Sequence, residues 1–373
     1  MSRAAAPARA LHVDALKALA SQAIVLHHLA FYGPMADHAA ALWPALFDVL
    51  AGDARIAVQV FLVVGGWLAA RSLAPGARLR PGVRAGAVLL ERYLRLVLPL
   101  AATLALAIGA AALARTWMDH ASIPAPPTAA QVLAHLVLLQ DLLGIEALSA
   151  GVWYVAIDLQ LYALLLALLL TARVVVPARH AADDAAPSRA AAGLVFALAA
   201  VSLLVVNRDA AWDVTGPYFF GAYAMGVLVA WWARPQAVHL PGLVLLACLV
   251  VVALWLQWRS RIALAALVAA ALAIAPRVAS HKAAGATGPT AVVHALGRIS
   301  YAVFLVHFPW CLVVNAVFER FAPHTPAVQA AGLLLAWAGS VAAGALFHRA
   351  VEVPAMRWAG TLKSRPARGV ARG

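Results

Sequence analysis

Three residues in one apolar stretch have the types and spacing for proton chemistry inside a membrane. Leu11 to Phe31 reads LHVDALKALASQAIVLHHLAF. On a helix turning about 100° per residue, Lys17 and His28 fall within about 20° of each other, and Asp14 and His28 within about 40°. His27 points away. Asp14, Lys17 and His28 therefore form one polar stripe, with His28 roughly 16 Å along the axis from Lys17. Ionisable groups in an apolar span are expensive and face a protein interior or a water-filled path. An imidazole placed there can take or give a proton near neutral pH. The plainer reading puts Asp14 and Lys17 at the membrane interface and bonds His28 to a neighbouring helix.

Other stretches add candidates. Arg92 and Arg95, in Glu91-Arg92-Tyr93-Leu94-Arg95, share one helical face and could grip phosphates with two guanidinium forks, or simply anchor a span end. Asp158 falls in an apolar run that begins at Gly151, and a lone carboxylate there needs a partner. An Asp158–His28 pair is one expectation, and a hydrogen bond between helices without chemistry is the other. His307 lies mid-span, two residues before Pro309, whose missing N–H frees backbone groups for a neighbour to satisfy. At the far end Pro354, two residues after Glu352, is expected to help stop a helix.

The elements that must position these residues are membrane helices. The 373-residue chain is 65 % hydrophobic and 12 % charged, about half the charged fraction of a soluble domain. Its apolar runs are continuous and lack the period-two alternation of a β-barrel. The expected fold is all-α: a polytopic transmembrane helix bundle forming one domain over residues 1–373. It has about ten spans, at roughly 12–31, 55–72, 96–114, 151–172, 191–206, 217–233, 240–256, 261–276, 299–317 and 327–349. With the N-terminus inside, only Arg55, Arg115, Arg208, Arg259, Arg261 and Arg320 of the 28 Lys and Arg residues lie outside. That asymmetry fits the positive-inside rule with both termini cytoplasmic. It also accounts for most of the +13 net charge without a nucleic-acid partner. The stretch Gln131–Leu143 is marginal as a span and is read as interfacial or re-entrant. Residues 173–190 and 277–295 are expected to be cytoplasmic linkers. Residues 359–373 are expected to be a basic, disordered cytoplasmic tail drawn to membrane lipid. Cys248 and Cys311 sit in apolar runs and suggest neither a disulfide nor a metal site. No metal is expected.

Taken together and in order, these stretches resemble the acyltransferase-3 family of bacterial membrane acyltransferases. The family opening D-x-L-R-x-x-A…H resembles Asp14-Ala15-Leu16-Lys17 and His28, with Lys17 for Arg. F-F-x-x-S-G-F resembles Phe61 to Trp67, with Gly65 for Ser, and R-x-x-R matches Arg92 and Arg95, with Pro99 close to the family's proline. W-x-x-x-x-E-x-x-x-Y resembles Trp153, Asp158 and Tyr162, with Asp for Glu. G-x-x-S-Y-x-x-Y-L-x-H-x-P matches Gly297, Ser300, Tyr301, Phe304, Leu305, His307 and Pro309, and E-x-P matches Glu352 and Pro354. The stand-alone type, without the fused hydrolase-like domain that many members carry, is the expected one.

The resemblance implies transfer of an acyl group, most simply acetyl, from cytoplasmic acyl-CoA to a hydroxyl of a glycan, a lipid-linked sugar or another extracytoplasmic acceptor. The setting would be the bacterial inner membrane. His28 would act as general base or transient acyl carrier, Asp158 with Tyr162 would orient it, and His307 is a second acid/base candidate. Arg92 and Arg95 would bind the CoA phosphates, with Lys17 and Asp14 as a structural or steering pair below. Trp153, Ser300, Tyr301 and Glu352 complete the polar set. Two other classes stand beside this one: a ten-span proton-coupled transporter or permease, and a catalytically silent partner in an envelope machine. The residues leave the oligomeric state open.

Overall fold

A computed structural model describes residues 10–176, 185–278 and 288–363. Arg3, Arg9, Arg179, Lys282, Arg365, Arg368 and Arg372 of the expected cytoplasmic charge set lie outside the described residues, as does 364–373 of the expected tail. Among the described residues the fold is helical, and β-pairing is confined to a two-residue ladder, Ala233–Arg234 with Ala237–Val238. A helix occupies each of the ten expected stretches: α1 (Leu11–Phe31), α4 (Val58–Leu73), α5 (Ala85–Trp117), α7 (Val152–Val175), α8 (Ala186–Leu204), α9 (Gly216–Trp232), α10 (Leu240–Leu256), α11 (Ser260–Val278), α12 (Pro289–Phe321) and α13 (Pro326–Phe347). Short helices α2 (Pro34–Ala39), α3 (Pro44–Gly52) and α6 (Ala129–Leu136) lie in the connections, and α14 (Val353–Lys363) follows α13. Six helical stretches are long and apolar enough to cross a membrane: 54–73, 85–117, 152–175, 186–208, 289–321 and 326–361. The polar residues of α1 keep it out of that set.

Two helices organise the packing. α9 is buried along nearly its whole length and lies among α4, α8, α11 and α7. It is apolar all round, as a helix with no solvent or lipid face should be. α12 lies among α13, α1 and α5. The closest approach is α4 against α9. A Cβ on Gly66 would run into the carbonyl oxygen of Tyr223, and one on Gly226 into that of Val63. Backbones this close need side-chain-free positions on both helices.

Several local expectations change. α5 starts eleven residues before the expected span, and with 33 residues it is about 50 Å long. Glu91, Arg92 and Arg95 thus sit on a continuous helix that faces the bundle, not in a loop. α12 begins at Pro289, so 289–295 is helix and not linker; proline suits a first turn, where its missing N–H costs nothing. Pro354 does not stop the last helix. His348–Glu352 forms a π-turn in which the Val353 N–H bonds back to the His348 carbonyl, and α14 continues beyond it. The turn places Pro354 in the first turn of α14, where it is tolerated. Residues 359–363, expected to be tail, are the end of α14.

The stretch after α5 is re-entrant relative to that helix. Tyr93 lies about 36 Å along α5 from Trp117, yet its hydroxyl donates to the Leu136 carbonyl, 2.8 Å away. The chain therefore folds back beside α5, and α6 starts from a Thr128/Gln131 capping box. Eight residues span only about 12 Å, too short to cross a bilayer.

Gly226→Val should drive a branched side chain into the Val63 carbonyl. We expect loss of a monodisperse, folded species on size-exclusion chromatography in detergent, or a fall in stability of at least about 3 kcal/mol. Gly86→Val, where a Cβ meets open space, should leave the elution profile unchanged.

Candidate active site

The motifs scattered along the chain meet at one cavity where the two packing groups join. It has a volume of about 230 Å³ and is lined from α1, α4, α5, α7, α12 and the π-turn region. Lys17, Arg92, Arg95, Asp158, Ser300, Tyr301 and Glu352 all contribute to its wall. Phe61, Tyr154 and Phe304 supply the aromatic part. Of these, Tyr154 had no separate signal. It stands four residues before Asp158, which is one turn on the same helical face, and that spacing could have singled it out.

One ion pair sits in the wall. Arg92 Nε donates to Asp158 Oδ2 at 3.0 Å, and Arg92 Nη2 reaches both carboxylate oxygens at 2.6 Å. Asp158 is 6 % exposed, and the guanidinium lies over the Tyr162 ring at 5.2 Å. The expected Asp158–His28 pair is therefore not formed. The carboxylate is taken by a full charge, which satisfies it better than a neutral imidazole. The same pairing occupies the Arg92 fork that was expected to hold phosphate. Arg95 remains the more open cation: its side chain is 43 % exposed, with Glu91 at 3.8 Å and Met356 Sδ at 3.8 Å.

Two of the three places where the chain departs from the family pattern, Gly65 and Asp158, are neighbours. A Cβ at Gly65 would lie 4.0 Å from Asp158 Oδ1 and 3.7 Å from the Tyr223 ring, so Gly65 leaves space beside the shortened carboxylate.

His28 pairs instead with His307. The rings are nearly parallel, with centroids 4.8 Å apart, and His28 Nδ1 is 2.5 Å from His307 Nε2. Hydrogen-bond logic assigns the protons. His307 Nδ1 faces the Phe304 carbonyl at 2.7 Å and the Val303 carbonyl at 3.2 Å. A carbonyl only accepts, so His307 Nδ1 carries its proton and a neutral His307 has an accepting Nε2. His28 Nδ1 must then donate, which leaves His28 Nε2 with the free lone pair. His307 is fully buried, whereas His28 is partly accessible. The dyad stands just beyond the cavity: Phe304 lines the cavity, and its ring centroid is 6.2 Å from that of His307.

The remaining candidates separate. Asp14 is 5 % exposed, and its Oδ2 meets His294 Nδ1 at 2.8 Å. At that level α1 and α12 touch so closely that a Cβ on Gly297 would strike the Asp14 backbone. Asp14 thus ties two helices together, away from the cavity. Trp153 stacks on Phe219 (5.4 Å, 30°), joining α7 to α9. Ser300 donates to the Gly297 carbonyl, and Tyr301 to that of Leu96. Glu352 Oε2 pairs with His348 Nδ1 at 2.8 Å, a partner sequence reasoning missed. His27 bonds the Leu50 carbonyl at 2.9 Å and anchors α3.

Asp158→Asn should leave Arg92 without its counter-charge. Because Arg92 opens partly to the cavity, we expect a loss of about 2–3 kcal/mol, below the figure for a fully enclosed pair. A double-mutant cycle with Arg92→Gln, read by unfolding in detergent, should give a coupling energy above about 1 kcal/mol.

The comparisons bear on the whole chain. Neither the search of curated proteins nor that of solved structures returns a match. A family model does match: the acyltransferase domain of acyltransferase-3 aligns with residues 11–345. That interval begins with the first residue of α1 and includes every cavity-lining residue except Glu352 and Met356. Such coverage is more than a shared motif, and the chain belongs to the acyltransferase-3 family.

Proposed function

We propose that this membrane acyltransferase moves an acyl group, most simply acetyl, from acyl-CoA to a hydroxyl of a glycan, a lipid-linked sugar or another extracytoplasmic acceptor. The observation that carries the reading is the convergence of six separated motifs on one cavity with an imidazole pair at its end. At about 230 Å³ the cavity is small beside drug-sized sites of ~300–1,000 Å³. It suits an acyl-pantetheine arm, with the nucleotide remaining outside. Arg95 and Lys17 supply positive charge for the anionic groups of CoA. The acyl-CoA enters from the cytoplasm, and the acceptor is reached across a bacterial inner membrane.

In this reading His28 Nε2 takes the acceptor hydroxyl proton as the oxygen attacks the thioester carbonyl. The C–S bond breaks, and the CoA thiolate leaves with that proton. His307 Nε2 accepts from His28 Nδ1–H throughout and stabilises the imidazolium that forms. It therefore does the orienting that a carboxylate does in a triad. Arg92 and Asp158 keep the cavity wall rigid and charge-balanced. The family match favours this chemistry over a transporter.

His28→Ala should abolish acyl transfer, with CoA release from labelled acyl-CoA falling to background while the protein still inserts. Wild-type turnover in that variant would overturn the role of His28, and inactive wild-type protein would favour a catalytically silent partner. Arg95→Gln should raise the KM for acyl-CoA about tenfold, the weight of one charge-assisted contact, with little change in the KM for the acceptor. An unchanged KM for acyl-CoA would remove Arg95 from donor binding.

A further inference from the structure

A second polar cluster lies at the other end of the bundle, beyond the C-terminal end of α1. His38 belongs to α2, Glu319 to the last turn of α12, and His324 to the turn between α12 and α13. One ligand atom from each lies within 4.8 Å of the others. The two imidazole centroids are 5.0 Å apart. None of these residues takes part in the cavity or in the His28–His307 dyad.

Two features set the cluster apart from chance packing. Glu319 Oε2 is buried yet accepts no hydrogen bond among the described residues. His324 Nε2 lies 3.6 Å from it and is 3.0 Å from the Glu319 backbone carbonyl, a contact it would exchange for the ion. A carboxylate oxygen shut off from water without a bond is costly, and a cation would remove that cost. The cluster is also held in place by contacts outside it. The Met35 N–H donates to Asn315 Oδ1 at 3.1 Å, docking α2 on α12 one turn before Glu319. The neighbouring Asp37 is engaged separately, with its Oδ2 3.0 Å from His120 Nε2. The donors are thus brought together by the fold and need little rearrangement to converge.

We propose that His38, Glu319 and His324 form a binding site for a divalent cation of the zinc type. Two imidazole nitrogens and one carboxylate oxygen, completed by water, are a donor set that zinc takes in tetrahedral geometry. Calcium and magnesium prefer all-oxygen shells. Bonds of ~2.0–2.2 Å require donors about 3.3–3.5 Å apart. His324, with a side chain 47 % exposed, has room to turn into that position. The ion would clasp α2 to the α12–α13 turn. α2 follows directly on Tyr32, whose ring lies 5.4 Å from that of His28, so the clasp would steady the connection next to the dyad.

The test uses the full chain purified in detergent without a histidine tag and stripped with a chelator. Zinc added back should bind at about one equivalent and raise the unfolding midpoint. Cobalt should give the visible absorption of a tetrahedral centre. His38→Ala, Glu319→Gln and His324→Ala should each weaken binding at least about tenfold. If His38→Ala fails to fold, the exposed His324→Ala carries the test. Failure of the wild-type chain to bind zinc at micromolar concentration would overturn the site, and so would undiminished binding by His324→Ala.

Discussion

A charge held inside an apolar bundle must find its counter-charge, and here that constraint is met by Arg92 and Asp158. Removing either partner would leave the other charge without its counter-charge. The pair fixes α5 against α7, and the cavity opens along the seam they define. The same rule recurs at two further buried carboxylates, Asp14 and Glu352. Asp14 meets His294 between α1 and α12, and Glu352 meets His348 at the π-turn. Each pairing offsets a desolvation cost; Arg92–Asp158 and Asp14–His294 also set the register of one helix on another, whereas Glu352–His348 closes within one turn.

These pairings decide which groups remain free for chemistry. Once Asp158 neutralises Arg92, it cannot also orient an imidazole. In the proposed mechanism that task falls to His307, whose Nδ1 is held by backbone carbonyls of α12. A neutral pair would do this in an apolar setting without burying a further charge, which a carboxylate beside His28 would require. The structure separates the ion-paired cavity wall from the two stacked imidazoles, with Phe304 between them.

The helix lengths follow from the same economy. α5 and α12 run well past the thickness of a bilayer; Arg92, Ser300 and His307 on them face protein, whereas Arg95, Arg115, Arg298 and Arg320 are exposed. α9 and α4 approach through Gly66 and Gly226, each of which leaves room for the other helix's backbone. Close backbone packing joins one half of the molecule, and paired polar groups join the other.

Much of this was legible in the amino-acid order. Continuous apolar runs located ten helices, because helix formation in an apolar segment depends on that segment alone. The ordered motifs identified the family and named Lys17, Arg92, Arg95, Asp158, Ser300, Tyr301 and Glu352 of the cavity wall, with Phe61, Gly65 and Phe304 beside them. Partner choice was not legible. The Asp14–Lys17–His28 stripe is a true property of one helix, yet its members diverge to His294, to the cavity and to His307. Helical periodicity tells which residues share a face but not what stands opposite. Arg92 with Asp158, His28 with His307, and His38 with Glu319 and His324 join distant parts of the chain. The marginal length of Gln131–Leu143 marked it as interfacial or re-entrant, but which helix it folds back along, α5, was not legible. The sequence by itself determined the helices, their apolar character and the family. Only the tertiary structure decided how the polar groups pair, because that depends on the packing of every helix at once.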